Sequence, residues 1–166
     1  MVRMKRIIFA LLFLTIAVFV GVRVFPSEEK RVRKQFKSLS KWVSKAPNES
    51  PIASAARVQK LRTLFADNCR LETHISWFSG SFTGEELSGL IARARLQFSR
   101  LSLTFYDLSV EFLGDETARV TVTARAEGTT TDGEAVDESH ELECLLGKTD
   151  GRWLFREAKV VQVLER

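Results

Sequence analysis

From Arg100 to Arg166 the sequence is dominated by long segments of alternating apolar and polar residues, separated by short turns. Leu108, Val110 and Phe112 alternate with Asp107, Ser109 and Glu111 before Gly114-Asp115 turns the chain. Ala118, Val120, Val122, Ala124 and Ala126 alternate with Arg119, Thr121, Thr123, Arg125 and Glu127. A turn at Thr131-Asp132-Gly133 leads to Glu138, His140, Leu142, Cys144 and Leu146 on one face of the next segment. Asp150-Gly151, a strong hairpin signal, then opens the last run, Trp153 to Leu164. Strand side chains point alternately to opposite faces, so this period of two predicts strands with one apolar and one wet face. The product is an antiparallel meander of long, strongly bent strands. It has to bury one face, no second set of strands is available to cover it, and helices from earlier in the chain must do so.

Three helices are predicted there. Pro26-Ser27-Glu28-Glu29 reads as the start of the first, a serine cap followed by acids that suit the helix dipole. Val32, Phe36, Leu39 and Val43, with Trp42 beside them, form its apolar stripe, and Lys34, Lys37, Lys41 and Lys45 take the remaining positions up to Pro47. The basic face fits either anionic lipid or water; the stripe supplies the cover the sheet lacks, which favours a core-covering helix with a solvated basic side. Ser50-Pro51 starts a second helix with Val58, Leu61, Leu64 and Phe65 inward, ending near Asp67-Asn68. A short strand from Arg70 to Ile75 and a loop over Ser76–Ser81 follow. Thr83-Gly84-Glu85-Glu86 is a capping box opening the third helix, whose face is Leu87, Leu90, Ile91, Ala94 and Phe98.

The amino end has a different character. Arg3, Lys5 and Arg6 precede an apolar run that reaches spanning length only from Ile7 to Phe25, with Arg23 snorkelling. No small-residue cleavage site follows, so an uncleaved signal anchor over residues 1–26 is expected, ahead of one domain over residues 27–166. The downstream cations (Arg23, Lys30, Arg31, Arg33, Lys34) argue for a cytoplasmic domain, whereas the short basic tail before the run argues for an exported one. The reading adopted is a single-pass inner-membrane protein with a periplasmic domain. The net charge of +4 is concentrated before residue 45, and no recognition helix or aromatic-plus-basic strand accompanies it, which counts against nucleic acid. The two cysteines lack CxxC spacing and histidine companions, so no metal and no cofactor is expected.

Three helices, a short strand before the third, and a four-strand meander resemble the nuclear transport factor 2-like (SnoaL-like, cystatin-like α+β) superfamily. Leu64-Phe65-Ala66-Asp67-Asn68-Cys69-Arg70-Leu71-Glu72 resembles that family's link from second helix to first strand. Phe82-Thr83-Gly84-Glu85-Glu86-Leu87 resembles its opening of the third helix, and Gly151-Arg152-Trp153-Leu154-Phe155-Arg156-Glu157-Ala158 its final strand. The chain is also similar to membrane-anchored bacterial members without assigned activity. The resemblance implies an α+β cone, three N-terminal helices packed on a strongly bent antiparallel sheet. Such a cone either holds a ligand, as in ketosteroid isomerase, limonene epoxide hydrolase and polyketide cyclases, or is filled. Fold alone does not decide between them.

Isomerase and cyclase members use carboxylates and a tyrosine or histidine inside the cone. The candidates here are His74, Tyr106, Asp107, Glu138 and His140, with His140 and Glu138 placed inward by strand parity as a potential acid–base pair. The bland alternative puts both histidines at the mouth or surface, and no isomerase base or oxyanion hole transfers residue by residue. Ligand-pocket candidates are Trp77, Phe78, Phe98, Leu142, Cys144 and Phe155. Cys69 and Cys144 pair only if the domain is exported, and a buried unpaired thiol is the better reading of Cys144. The leading expectation is a membrane-tethered, non-enzymatic accessory domain that binds a small apolar ligand or a partner protein. A homodimer through the outer sheet face (Arg119, Thr121, Thr123 and Arg125 against Glu141 and Glu143) is compatible with it. The alternatives are a SnoaL-like isomerase or lyase with a His/acid pair, and a VirB8-like structural subunit of an envelope assembly.

Overall fold

The computed structural model describes residues 28–73 and 79–164, with side chains as far as residue 161. The expected anchor, the serine cap at Ser27, and His74, Trp77 and Phe78 lie outside the described residues. The chain divides into two compact units, Met1–Arg31 and Val32–Arg166. Of the first, residues 28–31 are helical and carry an Arg31–Glu28 ion pair at 3.0 Å. Among the described residues no helix is long and apolar enough to cross a membrane.

Helix α1 covers residues 28–43 and α2 covers Pro51–Arg62. Strands β1 (Phe65–Glu72) and β2 (Gly80–Phe82) precede α3 (Gly84–Leu96). Four long strands follow: β3 (Phe98–Phe112), β4 (Thr117–Thr130), β5 (Ala135–Thr149) and β6 (Arg152–Leu164). The meander from β3 to β6 is antiparallel as expected, but β1 joins β6 in parallel, giving a mixed sheet of order β2-β1-β6-β5-β4-β3. The expected caps of the second and third helices are present. Ser50 Oγ accepts from the Ala53 N–H with Pro51 at the first turn, and Thr83 and Glu86 cap each other's backbone N–H groups. The Asp150-Gly151 hairpin has φ of 49° and 73°, the pair of positive values a two-residue turn of matching twist requires.

Two boundaries differ from the sequence reading. The second helix stops at Arg62 rather than near Asp67, and Phe65 onward is strand. The competing interaction is tertiary: the Phe155 N–H donates to the Leu64 carbonyl at 2.9 Å, and Phe65 aligns with Phe155 on β6. The third helix likewise ends before Phe98, which begins β3. Its inner face keeps Leu87, Leu90 and Ile91 as expected, but not Ala94. Gly84, Leu87, Ser88 and Arg95 are buried, whereas Ala94 is exposed and Leu96 is 69% exposed. The three-residue β2, paired to β1 from Cys69 to Leu71, has too little sequence to announce itself.

The core lies between the helices and the inner sheet face. Val32 and Phe36 of α1, Leu61, Leu64 and Leu87 close on Ala118, Val120, Val122, Cys144, Leu146, Trp153 and Phe155. The expected stripe of α1 therefore covers the sheet. Phe36 meets Phe105 and Phe155 edge-on, with centroids 5.2 and 5.0 Å away, geometries worth about 0.5–1.5 kcal/mol each beyond area burial. Lys45 does not belong to the solvated basic face. Its Nζ donates to the Arg95 and Phe98 carbonyls at 3.1 and 2.6 Å, placing a cation at the C-terminus of α3.

Candidate functional site

Strand register lays the inner face out as a grid. At one end, Val120 pairs with Cys144, Ala118 with Leu146, and Leu146 with Phe155. Each of these side chains is essentially solvent-free. Phe155 also contacts Phe65 at 5.9 Å, and Phe112 contacts Trp153 at 5.8 Å. This end is filled. Cys144 and Phe155, proposed as pocket residues, are core, and Leu142 packs against the same cluster. Phe98 is half-buried with its ring against Gly128, where an added Cβ would lie 3.0 Å from the ring.

Toward the other end the inward residues of β4 become small. Ala124 faces His140 across the ladder, Ala126 faces Glu138, and Gly128 faces Val136; on the far side they face Phe105, Leu103 and Leu101. His140 thus points inward on the strand parity its sequence implied, opposite Ala124 on β4 and paired on its other side with Val163 of β6. Its Nε2 lies 3.3 Å from Glu138 Oε2, with the two side chains 32% and 66% exposed. His140 Nδ1 is buried and has no hydrogen-bond partner among the described residues. A buried imidazole nitrogen without a partner is uncommon and costs free energy. Chemically, the pair offers a proton carrier oriented by a carboxylate at one nitrogen and an unmet donor or acceptor at the other.

The remaining candidates are not gathered at this place. Asp107 is an exposed residue with φ of 53°, and the β3–β4 register slips around it between Tyr106 and Ser109. This bulge switches the inward parity from Leu101, Leu103 and Phe105 to Leu108, Val110 and Phe112. Tyr106 consequently faces outward opposite Thr123, 44% exposed, away from the helix-covered face that carries His140. On that outer face Arg125 forms two 2.8 Å hydrogen bonds to Asp137, and Arg119 pairs with Glu111 at 3.2 Å, so both arginines named for a homodimer have partners within the chain. Cys69 and Cys144 are both free and buried. Burial pushes each thiol up to about 12, the unreactive protonated form. Among the described residues no group of three His, Cys, Asp or Glu could hold a metal ion.

The sequence reading missed a buried polar cluster joining the three helices. Arg95, 2% exposed, donates to the Val43 carbonyl (3.0 Å), Ser44 carbonyl (3.2 Å), Ser54 Oγ (3.1 Å) and Glu49 Oε2 (2.5 Å). Arg57 donates to the Lys41 and Ser44 carbonyls, and its Nε lies 2.8 Å from Glu49 Oε1 without hydrogen-bond alignment. Two guanidinium groups thereby satisfy the last carbonyls of α1, which a helix cannot satisfy itself. The available signal was Arg95 standing eight residues after Leu87, on the apolar side of α3.

No family model matches the chain, and no curated protein matches it. Solved structures do. A scytalone dehydratase-like protein from Novosphingobium aromaticivorans superposes with TM-score 0.64 at 15% identity, over 84% of this chain and 85% of that one. The hexachlorocyclohexane dehydrochlorinase LinA-type3 from Novosphingobium barchaimii gives 0.64 at 10% identity, over 83% and 89%. An uncharacterized protein with a cystatin-like fold from Caulobacter vibrioides gives 0.60 at 10% identity, over 82% and 89%. At these identities the agreement concerns the path of the chain. Together with the element order and the helix-covered mixed sheet, it establishes that this protein has the cystatin-like, nuclear transport factor 2-like α+β fold.

Proposed function

We propose that this is a non-enzymatic accessory domain that binds a small, largely apolar molecule bearing one polar group, seated against His140. Residues Ile7 to Phe25 would tether it to the inner membrane with the domain on the exported side, as the basic tail before the apolar run suggests. The observation that carries the reading is the buried Nδ1 of His140, which has no hydrogen-bond partner among the described residues and lies on the strand position opposite Ala124. A ligand hydroxyl or carbonyl would meet that nitrogen, and its apolar remainder would lie against Ala124. Ligand sites are commonly apolar with a few placed polar groups of this kind.

The test is a thermal-shift screen of full-length protein against small alcohols, ketones and carboxylates. A ligand at about one hundred times its Kd stabilises by about 2.7 kcal/mol. H140A is expected to weaken a hit by roughly tenfold, the loss of one buried hydrogen bond, and A124L to abolish it by filling the space. A hit bound equally by both variants would remove His140 from the site and the reading with it. A second reading is favoured by the 3.3 Å His140–Glu138 pair and by the dehydratase and dehydrochlorinase among the similar structures. In that reading the pair moves a proton in an elimination or isomerisation, and E138Q and H140A both abolish turnover. Retained turnover in H140A excludes it.

A further inference from the structure

We infer that the helical side of the domain docks on an anionic lipid surface, where Ile52 and Leu96 enter the interface and Lys34, Lys37, Lys41 and Arg93 meet lipid phosphates. The ground is an uneven distribution of charge. Residues 32–64 and 87–106 span most of the three helices and the start of β3. Together they carry eleven lysines and arginines and a single carboxylate, Glu49. Glu49 is buried between Arg95 and Arg57, so it does not offset the exposed cations. The nearest acids of α3, Glu85 and Glu86, stand at its opposite, N-terminal end.

Three helix ends meet at Arg95, which lies in the last turn of α3 and donates to the Val43 and Ser44 carbonyls at the end of α1 and to Ser54 in the first turn of α2. Lys41 belongs to the same junction, since its carbonyl accepts from Arg57. At about 3.6 residues per turn, positions nine apart lie on opposite sides of a helix. Lys41 stands nine residues from buried Val32, Ile52 nine from buried Leu61, and Leu96 nine from buried Leu87. Burying the core member of each pair therefore turns the other to solvent. Ile52 is 84% exposed and Leu96 69%. Lys34, Lys37 and Arg93 are exposed too, and with Lys41 they form no ion pair among the described residues.

A lone exposed aliphatic residue needs no explanation. Two large ones at a junction of helix ends, among cations that no carboxylate matches, are the composition of a surface that lies on a bilayer. Lipid phosphates satisfy the cations, each of which strengthens association with an anionic surface by roughly fivefold. The acyl boundary beneath them takes the aliphatic tips. A nucleic acid would meet the cations and leave both tips in water. The inference does not depend on the tether proposed above, which would only hold lipid at a high local concentration.

The test places a bimane fluorophore on full-length protein at Ala53→Cys, an exposed position beside Ile52; the native cysteines are buried. The protein is assembled in nanodiscs of phosphatidylcholine with brominated acyl chains, with or without an equal share of phosphatidylglycerol. Bromine is expected to quench the label where phosphatidylglycerol is present, and not in phosphatidylcholine alone or at raised salt. A label at Ser109→Cys, exposed on the outer sheet face, should stay bright throughout. K41Q/R93Q should lower the docked-to-undocked ratio by roughly tenfold or more. I52S/L96S should lower it too at an unchanged melting temperature, because both side chains are exposed. A chain that does not stay with the discs refutes the tether alone, and vesicles of the same lipids should then give the same pattern. Equal quenching at 53 and 109, equal quenching in both lipid compositions, or undiminished quenching in K41Q/R93Q would overturn the assignment. So would a response of the position-53 label to duplex DNA or polyglutamate but not to phosphatidylglycerol.

Discussion

Replacing Arg95 by methionine tests the helical cluster most directly, because the substitution keeps an unbranched side chain in α3 while deleting every polar contact. Arg95 and Glu49 side chains are 2% and 3% exposed. Deleting one member of a buried ion pair leaves the other charge in a poor solvent, at a typical cost of about 3–5 kcal/mol. The loss here belongs at the lower end. Arg57 remains 2.8 Å from Glu49 and keeps its 2.8 Å bond to the Ser44 carbonyl, whereas the Val43 carbonyl loses its guanidinium donor. We expect about 3 kcal/mol, a large share of the roughly 5–15 kcal/mol that holds an ordinary domain together. With a urea slope of about 2 kcal/mol/M, the midpoint measured by tryptophan fluorescence falls by about 1.5 M. Exposed Arg93 provides the control, and R93M should stay within about 0.5 kcal/mol of the parent. E49Q combined with R95M should cost less than the sum of the separate changes, since it removes the charge that R95M strands. An R95M loss below about 1 kcal/mol, or strict additivity with E49Q, would refute the argument that this cluster joins the helices through compensated charge.

Three further outcomes are expected. Gly128→Ala should destabilise by about 1–3 kcal/mol in a melting experiment, since its Cβ would lie 2.6 Å from the Arg100 carbonyl oxygen and 3.0 Å from the Phe98 ring. Gly147→Ala should cost clearly less, because its closest contacts are the movable end of the exposed Arg156 side chain; the reverse order would contradict the packing. The Thr83 backbone and hydroxyl hold the Glu86 carboxyl below its ordinary value, so its stabilising contribution is present above the usual carboxylate range and disappears as pH falls through the depressed value. The stability gap between parent and E86Q, followed by denaturation at successive pH values, should close on acidification; a gap independent of pH would speak against the capping box. Cys69 and Cys144, with thiols pushed up to about 12 by burial, should resist iodoacetamide in the native protein and react fully in urea. Rapid native labelling of either would show that its side of the core opens.

The positions that sequence reasoning read well are those whose physics is local. The alternation in β4 and β5, the Thr83–Glu86 box, the Ser50-Pro51 start and the Asp150-Gly151 turn each depend on residues within a few positions of one another. His140 belongs here too, because strand parity alone turned it to the face of Cys144 and Leu146. The misplaced elements depended on distant partners. Phe65 carried a helix-compatible pattern and became strand because β6 offered a backbone to pair with. Tyr106 was named for its residue type alone, and its outward direction is set by where the Asp107 bulge falls in the β3–β4 pairing.

What this sequence determined by itself is an α+β arrangement, since a period of two and a period of 3.6 residues follow from backbone geometry and leave the apolar faces no option but to meet. Tertiary structure alone decided that β1 would lie parallel to β6 and that Arg95 would be buried against Glu49. Each of these joins residues dozens of positions apart. Their energies are those of pairing and desolvation between segments, which no local pattern records.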